Sequence, residues 1–132
     1  MRRLSDESKR TLLSELAKDP TSVIRNYEAA LRNKGFNVFY NAPALILLIG
    51  PEDLYSIDID TALTVSYLMF SATSRGLGTC WIGLGAHIRD RSILLEMGIP
   101  VGYRIIAPVI IGYPISVPPA SARRDPDILK VI

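Results

Sequence analysis

Cysteine and histidine are nearly absent from the sequence, which has one of each, Cys80 and His87, in 132 residues. A single cysteine cannot form an internal disulfide and is typical of a reducing compartment. Cys80 lies mid-strand in the predicted pattern and is expected to be a buried, inert thiol. One cysteine and one histidine are too few ligands for a structural zinc site, so we predict no metal centre.

Long hydrophobic runs and an excess of one charge are also lacking. The N-terminal MRRLSDESKR is not followed by the apolar core of a signal peptide, and no apolar run approaches the roughly 20 residues that span a bilayer. The net charge of +2 gives no strong attraction to nucleic acid or to an anionic membrane. We therefore expect a soluble, cytoplasmic protein whose partners include neither nucleic acid nor a membrane.

Nucleotide-binding loops and catalytic side-chain patterns are missing as well. Gly76 and Gly78 begin a GxG, but Trp81 stands where the dinucleotide fingerprint needs its third glycine, and no GxxxxGK[ST] loop occurs. His87 is paired with no nucleophile in a known pattern, and its charged neighbours indicate a solvent-facing loop histidine. No side chain is therefore predicted to be catalytic.

Apolar residues, by contrast, are plentiful: 48% of the chain is hydrophobic and 21% is charged. This composition is sufficient for a core and argues against disorder. The length suits a single domain over residues 1–132. A chain this short buries only about two-thirds of its unfolded surface, so its high apolar content indicates that a partner covers part of the folded surface.

Two helices are predicted before residue 36. Ser5 is placed to cap the first, and Pro20 lies at its end. The second is expected from residue 21 or 22 to residue 33, with Gly35 placed for a left-handed cap. Both have apolar faces at helical spacing that are expected to be buried: Leu12, Leu13, Leu16 and Ala17 in the first, and Val23, Ile24, Tyr27, Ala30 and Leu31 in the second.

An unbroken apolar run and an apolar helix dominate the middle of the chain. ALILLI, residues 44–49, is predicted to be a central strand buried on both faces. The helix from Asp58 or Asp60 to Arg75 has apolar residues on all sides and is therefore expected to be buried all round.

The C-terminal half is predicted to contain two strands, one helix and a tail. TCWIGL, residues 79–84, is a short strand, and residues 90–97 form a short helix closed by Gly98. Residues 104–112 form a final strand, in which Pro108 indicates an edge position or a bulge. The proline-rich residues 113–132 are expected to be an extended tail.

The order of several short motifs is informative. AP precedes the ALILLI strand, an acid-started helix follows it, and then come GLGTCWIG at residues 76–83, MGIP at 97–100, IGYP at 111–114 and a tail arginine. This order resembles the nitroreductase family of FMN-dependent oxidoreductases, over residues 39–126, about two-thirds of the chain. The resemblance implies an α+β fold of three layers: a mainly antiparallel sheet flanked by helices, with a tail that wraps a dimer partner.

The resemblance also implies a cofactor and a site. Trp81, Ile82, Gly83 and Leu84 would lie against the ring of FMN, with their backbone N–H groups directed at it, and Arg123 or Arg124 would reach its phosphate. The activity implied is hydride transfer from NAD(P)H through FMN to a nitro compound, a quinone or a similar acceptor, in a homodimer. Bare glycine backbone beside Trp81 fits such a site, because a flat ring needs close approach of the main chain.

The sequence departs from the family at its N-terminal side. The family's basic RRS-x-R segment and its PS-x-x-N and Q-P-W motifs have no counterpart, which corresponds to about 50 to 60 residues by usual element lengths. A second hypothesis therefore keeps the fold without flavin chemistry, as a dimeric binding module. A third, a helix-turn-helix over residues 5–33, is disfavoured because Pro20 interrupts the connection and the second helix has little positive charge.

Overall fold

The structure is a computed structural model that describes residues 1–130, so Val131 and Ile132 at the end of the expected tail lie outside the described residues. The fold is α+β, as predicted. The regular elements, in chain order, are α1 (Arg2–Lys18), a 3-10 helix (Val23–Tyr27), α2 (Glu28–Arg32), β1 (Ala44–Pro51), α3 (Ile57–Thr73), β2 (Gly78–Trp81), a second 3-10 helix (Gly83–Ala86), α4 (Arg91–Glu96) and β3 (Tyr103–Gly112). Residues 113–130 have no regular structure and are exposed.

The sheet has three antiparallel strands in the order β1-β3-β2. The prediction that residues 44–49 form the central strand is wrong: β1 pairs only with β3, and most of its side chains are half-buried. The central strand is β3, in which residues 105–109 are buried. An unbroken apolar run is typical of a buried strand, but β1 shows that it also occurs where one edge has no strand partner among the described residues.

Pro108 lies in this central strand, so the edge position predicted for it is wrong, whereas the alternative prediction of a bulge agrees with an irregularity two residues away, at Ile106. Its carbonyl accepts a hydrogen bond of 2.8 Å from the N–H of Ile82, just beyond the last residue of β2. The N–H and C=O of a strand residue point to the same neighbouring strand, so the nitrogen of Pro108, like its carbonyl, points toward β2. At that position the β2 strand has already ended. The register with β1 shifts nearby, leaving Ile106 unpaired between Ile105 and Ala107. The sheet therefore accommodates the missing donor at a place where little pairing is lost.

Helix α1 begins at Arg2, and the prediction that Ser5 caps it is wrong. Ser5 is buried within the helix, and its hydroxyl accepts a 2.9 Å hydrogen bond from the N–H of Val38. Nearby, the Lys9 ammonium donates to the carbonyls of Asn33 at 2.9 Å and Phe36 at 3.1 Å. The buried face of α1 is thus partly polar and satisfies backbone groups of the segment that leads to β1.

The predicted second helix is divided into the 3-10 helix Val23–Tyr27 and the five-residue α2. Ser22 caps the first, and Val23 and Tyr27 are exposed, so much of the expected buried face is at the surface. The left-handed cap predicted at Gly35 is also wrong, because the chain leaves α2 in an extended conformation. The Asn33 side chain accepts the N–H of Gly35 at 2.8 Å and closes this turn without a left-handed residue.

Helix α3 packs one face on the sheet, through Thr61, Val65 and Ala72. The prediction that it is buried all round is wrong for the single chain. The opposite face exposes 60–78% of each of four apolar side chains at helical spacing: Ile59, Leu63, Tyr67 and Phe70. We call these four residues the α3 stripe. No helix among residues 1–130 is both long enough and apolar enough to cross a membrane.

Helix α4 agrees with the prediction: Asp90 caps its start, and Gly98 follows with φ of +77°. The Asp90 carboxylate accepts the Ser92 hydroxyl at 2.6 Å and the N–H groups of Ser92 and Ile93 at 2.9 and 3.3 Å. These hydrogen bonds lower the pKa of Asp90 below its usual 3.8, and the bond from the Ser92 hydroxyl has the largest effect. The ionised carboxylate accepts these bonds more strongly than the protonated acid does, so the cap is strongest above that pH.

We expect Asp90→Asn to lower the melting temperature at neutral pH, with the difference from the wild type disappearing as the pH falls below about 3.8. A group whose pKa is lowered by folding stabilises the protein above its unfolded pKa, and this contribution is lost as it is protonated. Asparagine keeps an acceptor but cannot titrate. Melting temperatures of both proteins between pH 7 and pH 2 test this; a difference that is constant with pH would contradict it.

Candidate functional site

The four residues predicted to contact a cofactor ring, 81–84, come together on one wall of an apolar groove of about 400 Å³. We call residues 81–84 the wall segment. The groove runs between this segment and the 3-10 helix Val23–Tyr27, and it is lined by Val23, Ile24, Tyr27, Tyr40, Cys80, Trp81, Ile82, Gly83 and Leu84. Its size and its aliphatic and aromatic lining are typical of sites for flat organic molecules.

The wall segment is formed where β2 ends. The predicted strand 79–84 stops at Trp81, because the chain then turns into the 3-10 helix Gly83–Ala86. The N–H of Ile82 donates to the Pro108 carbonyl at 2.8 Å, and the Ile82 carbonyl accepts the N–H of Gly85 at 2.9 Å. The Ile82 side chain is buried in the core. The turn is thus attached to the central strand β3 on one side, and its opposite side borders the groove.

Two backbone donors of the wall segment are free. Among the described residues, the N–H groups of Gly83 and Leu84 have no hydrogen-bond partner. The N–H of Ile82 is already used by Pro108, so Ile82 offers no free donor to the groove. Trp81, 39% exposed, adds a partly open aromatic ring to the same wall. Free N–H groups beside an apolar groove suit a flat ligand that carries acceptor atoms along one edge.

The two glycines of the turn are required for different reasons. A Cβ on Gly85 would lie 2.4 Å from Cε1 of the Phe39 ring, so packing within the chain demands glycine there. A Cβ on Gly83 would meet no atom of residues 1–130 within 4 Å, and the φ of Gly83 does not lie in the left-handed region. No contact among the described residues explains Gly83, whereas a molecule lying in the groove would.

The tail arginines are not part of this groove. Arg123 and Arg124 lie in the exposed segment after β3, and neither has an ion-pair partner within residues 1–130. The sequence did not predict the second wall, formed by Val23, Ile24 and Tyr27 with Tyr40. The helical spacing of residues 23–27 predicts a core face, but Val23 and Tyr27 are exposed and line the groove instead.

Cys80 and His87 differ from their predicted surroundings. Cys80 is exposed and borders the groove, so its prediction as a buried thiol is wrong. His87 is half-buried rather than solvent-facing, with Nδ1 3.0 Å from Oε2 of Glu15 on α1. In the part of the chain that the structure describes, no three His, Cys, Asp or Glu side chains are close enough to hold a metal ion.

A larger cleft of about 620 Å³ lies elsewhere, lined by Arg3, Asp6, Glu7, Arg10, Asp90 and Ile93. Its charges are largely paired with one another or with neighbours: Arg3 contacts Glu96 at 2.6 Å, and Arg10 contacts Glu7. Paired surface charges fill such a cleft with hydrated groups and offer little apolar area to a ring. The smaller apolar groove is therefore the better candidate site.

Comparisons with known proteins agree with this assignment of fold. The family model described as "Nitroreductase family" matches residues 1–113, whereas no curated protein matches. A nitroreductase with bound FMN from Bacteroides fragilis NCTC 9343 superposes with a TM-score of 0.78 at 21% identity, covering 98% of this chain and 68% of its own. An FMN-bound nitroreductase from Desulfitobacterium hafniense DCB-2 gives 0.69 at 21% identity, covering 94% and 68%.

A third similar structure has a different chemistry in its name. Iodotyrosine deiodinase, bound to FMN and 3-iodo-L-tyrosine, superposes with a TM-score of 0.61 at 19% identity, covering 97% of this chain and 70% of its own. At such low identities the solved structures show only the fold, which is one that flavin oxidoreductases have. The family is identified by the family model. The chain belongs to the nitroreductase family.

Proposed function

We propose that this chain is an FMN-dependent oxidoreductase that transfers hydride from NAD(P)H to a nitro compound, a quinone or a similar acceptor, as a cytoplasmic homodimer. The observation that carries the proposal is the wall segment, where two unpartnered backbone donors border an apolar groove. The family supports it, since its FMN-bound members share this fold. The single cysteine supports a reducing compartment.

Each part of the groove has a role in this proposal. FMN, when bound, supplies the redox chemistry, so no protein acid or base is required. The N–H groups of Gly83 and Leu84 donate to acceptors on the ring edge, where negative charge is greater in the reduced state. Trp81 and Tyr27 provide aromatic area on the two walls, and both also limit the access of water.

The phosphate of FMN is assigned to Arg123 or Arg124. A guanidinium group matches phosphate oxygens with two parallel hydrogen bonds, and both arginines are exposed and have free donors in the described chain. The groove itself is lined by no cationic side chain. The tail supplies the arginine in this proposal, and in a dimer whose tails wrap the partner it would come from either subunit.

The homodimer is supported by apolar surface that the single chain leaves open. The α3 stripe exposes four large apolar side chains on one helix face, and the tail exposes five more: Tyr113, Ile115, Val117, Ile128 and Leu129. Contiguous exposed apolar surface of this kind marks an interaction site. A second copy, with its own stripe and tail, would bury both surfaces in a twofold arrangement.

The test is to purify the protein and titrate it with FMN and with riboflavin, which lacks the phosphate. We expect a bound flavin spectrum, a melting temperature that rises with added FMN, and FMN bound at least tenfold more tightly than riboflavin. Arg123→Ala/Arg124→Ala should reduce FMN affinity to that of riboflavin and leave riboflavin binding unchanged. A colourless protein whose melting temperature is indifferent to FMN would refute the proposal.

The alternative function is a dimeric binding module of the same fold that performs no flavin chemistry. It is favoured by the lining of the groove, which contains aromatic and aliphatic side chains but no cation to hold a phosphate. In that case the groove would take an apolar ligand without phosphate. The titration above separates the two, because such a module would form a dimer and show no preference for FMN.

A further inference from the structure

We propose that Ser8 on α1 is a positioning residue that orients and strengthens the Gly83 backbone donor from behind the wall segment. This inference rests on the proposed function, because it concerns how the chain holds FMN. Ser8 does not line the groove, and its side chain is fully buried. It acts through two peptide groups that connect it to the groove.

The connection is a chain of hydrogen bonds. The Ser8 hydroxyl donates to the carbonyl oxygen of Leu84. That carbonyl shares a peptide group with the N–H of Gly85, which donates to the carbonyl of Ile82 at 2.9 Å. The Ile82 carbonyl in turn shares a peptide group with the N–H of Gly83, the free donor at the groove. Ser8 is therefore the first donor in a series whose last member is the N–H of Gly83, a residue that lines the groove.

Hydrogen bonds in series polarise one another. Each bond that a peptide carbonyl accepts makes the N–H of the same peptide a better donor, by about 10–30% per bond. The effect is larger in a buried environment, and Ser8 and Ile82 are both buried. A stronger Gly83 donor favours the ligand state with more negative charge, which for FMN is the reduced state. Ser8 therefore raises the reduction potential of bound FMN as well as its affinity.

The same hydroxyl also fixes the turn in space. Helix α1 contacts the Gly83–Ala86 helix, and the Ser8 bond is the polar part of that contact. On its other side the turn is held by the Phe39 ring against Gly85. The peptide planes of the wall segment are thus held from two directions, so loss of the Ser8 bond affects their orientation before it affects the overall fold.

Ser5 provides a matched control on the same helix. It lies three residues before Ser8, is equally buried, and also bonds one backbone group, the N–H of Val38. That bond holds the segment before β1 and does not lead to the wall segment. Ser5→Ala and Ser8→Ala each remove one buried hydroxyl and leave one backbone group unsatisfied, so a purely structural role predicts similar losses of stability.

The experiment measures the melting temperature, the dissociation constant of oxidised FMN and the reduction potential of bound FMN in the wild type and both variants. We expect Ser8→Ala to increase the dissociation constant of oxidised FMN by about fivefold. The binding of reduced FMN should be weakened by about fivefold more than that of oxidised FMN. For a two-electron couple a tenfold ratio of affinities corresponds to about 30 mV, so the reduction potential should fall by about 20 mV. Ser5→Ala should lower the melting temperature but change neither flavin quantity by more than about twofold.

The outcomes separate the inference from the function on which it rests. A wild type that binds no FMN refutes both. If the wild type binds FMN and Ser8→Ala has the same FMN affinity and reduction potential, the role of Ser8 is refuted and the proposed function stands. The same holds if Ser5→Ala changes the affinity and the potential as much as Ser8→Ala does. Should Ser8→Ala not fold, Ser8→Cys, which fills the same space with a weaker donor, replaces it: a smaller shift of the same sign supports the role, and a wild-type potential overturns it.

Discussion

Leu63→Asp, in the middle of the α3 stripe, is expected to convert the proposed homodimer to a monomer. Leu63 is 60% exposed in the single chain, and the stripe places Ile59, Tyr67 and Phe70 around it. Burying an unpaired carboxylate costs several kcal/mol per ion, and a twofold interface contains the substitution twice. The dissociation constant should therefore increase by several orders of magnitude, which analytical ultracentrifugation or light scattering over a range of concentrations would measure.

Leu95→Asp is the matched control. Leu95 lies on α4, is 54% exposed, and undergoes the same change of size and charge outside the α3 stripe. We expect this variant to remain dimeric with a nearly unchanged melting temperature. A dimer that survives Leu63→Asp would mean that the α3 stripe is not the interface, and that another partner covers it.

Gly83→Leu is expected to abolish FMN binding while leaving the fold intact. The position has no neighbour within 4 Å of a Cβ and an ordinary φ, so a side chain is tolerated by the chain itself. It would, however, occupy the groove that Gly83 lines and keep the ring away from the Gly83 and Leu84 donors. We expect at least a hundredfold loss of FMN affinity by titration, with a melting temperature of the FMN-free protein close to that of the wild type.

Gly85→Ala should show the opposite pattern. The new methyl would lie 2.4 Å from the Phe39 ring, and overpacking of this kind typically costs about 1–3 kcal/mol. The melting temperature should fall, while the protein that remains folded should still bind FMN more tightly than Gly83→Leu does. FMN binding retained in Gly83→Leu would mean that the flavin, if bound at all, does not lie against the wall segment.

The wall segment of the candidate site was predicted through the resemblance to the nitroreductase family, which the GLGTCWIG stretch carries. GLGTCWIG places three glycines around Trp81, and the structure forms the wall segment from residues 81–84 of that stretch. The second wall was not predictable, because residues 23–27 have the spacing of a buried helix face and nothing in that spacing separates a core from a groove. The distinct roles of Gly83 and Gly85 also needed the structure, since only coordinates place Phe39 against one of them.

The fold class followed from the resemblance to the nitroreductase family, whereas the bounds of α4 and β3 followed from glycine, proline and capping signals, which act locally. Positions that depend on distant partners did not follow. Ser5 has the chemistry of a helix cap, and the same hydroxyl serves equally well as an acceptor for Val38, 33 residues away. For the same reason, the apolar composition of α3 indicated burial but not whether its own chain or a second copy provides the cover.

The central position of β3 has a consequence for synthesis on the ribosome. β1 spans residues 44–51 and β2 spans residues 78–81, yet their common strand partner begins only at Tyr103. The nascent chain must therefore extend by about fifty residues while ALILLI has no strand to pair with, and such a segment is prone to aggregate. Folding of the sheet becomes possible only once the ribosome has released β3, so the segment is a site where we expect holdase chaperones to bind during translation.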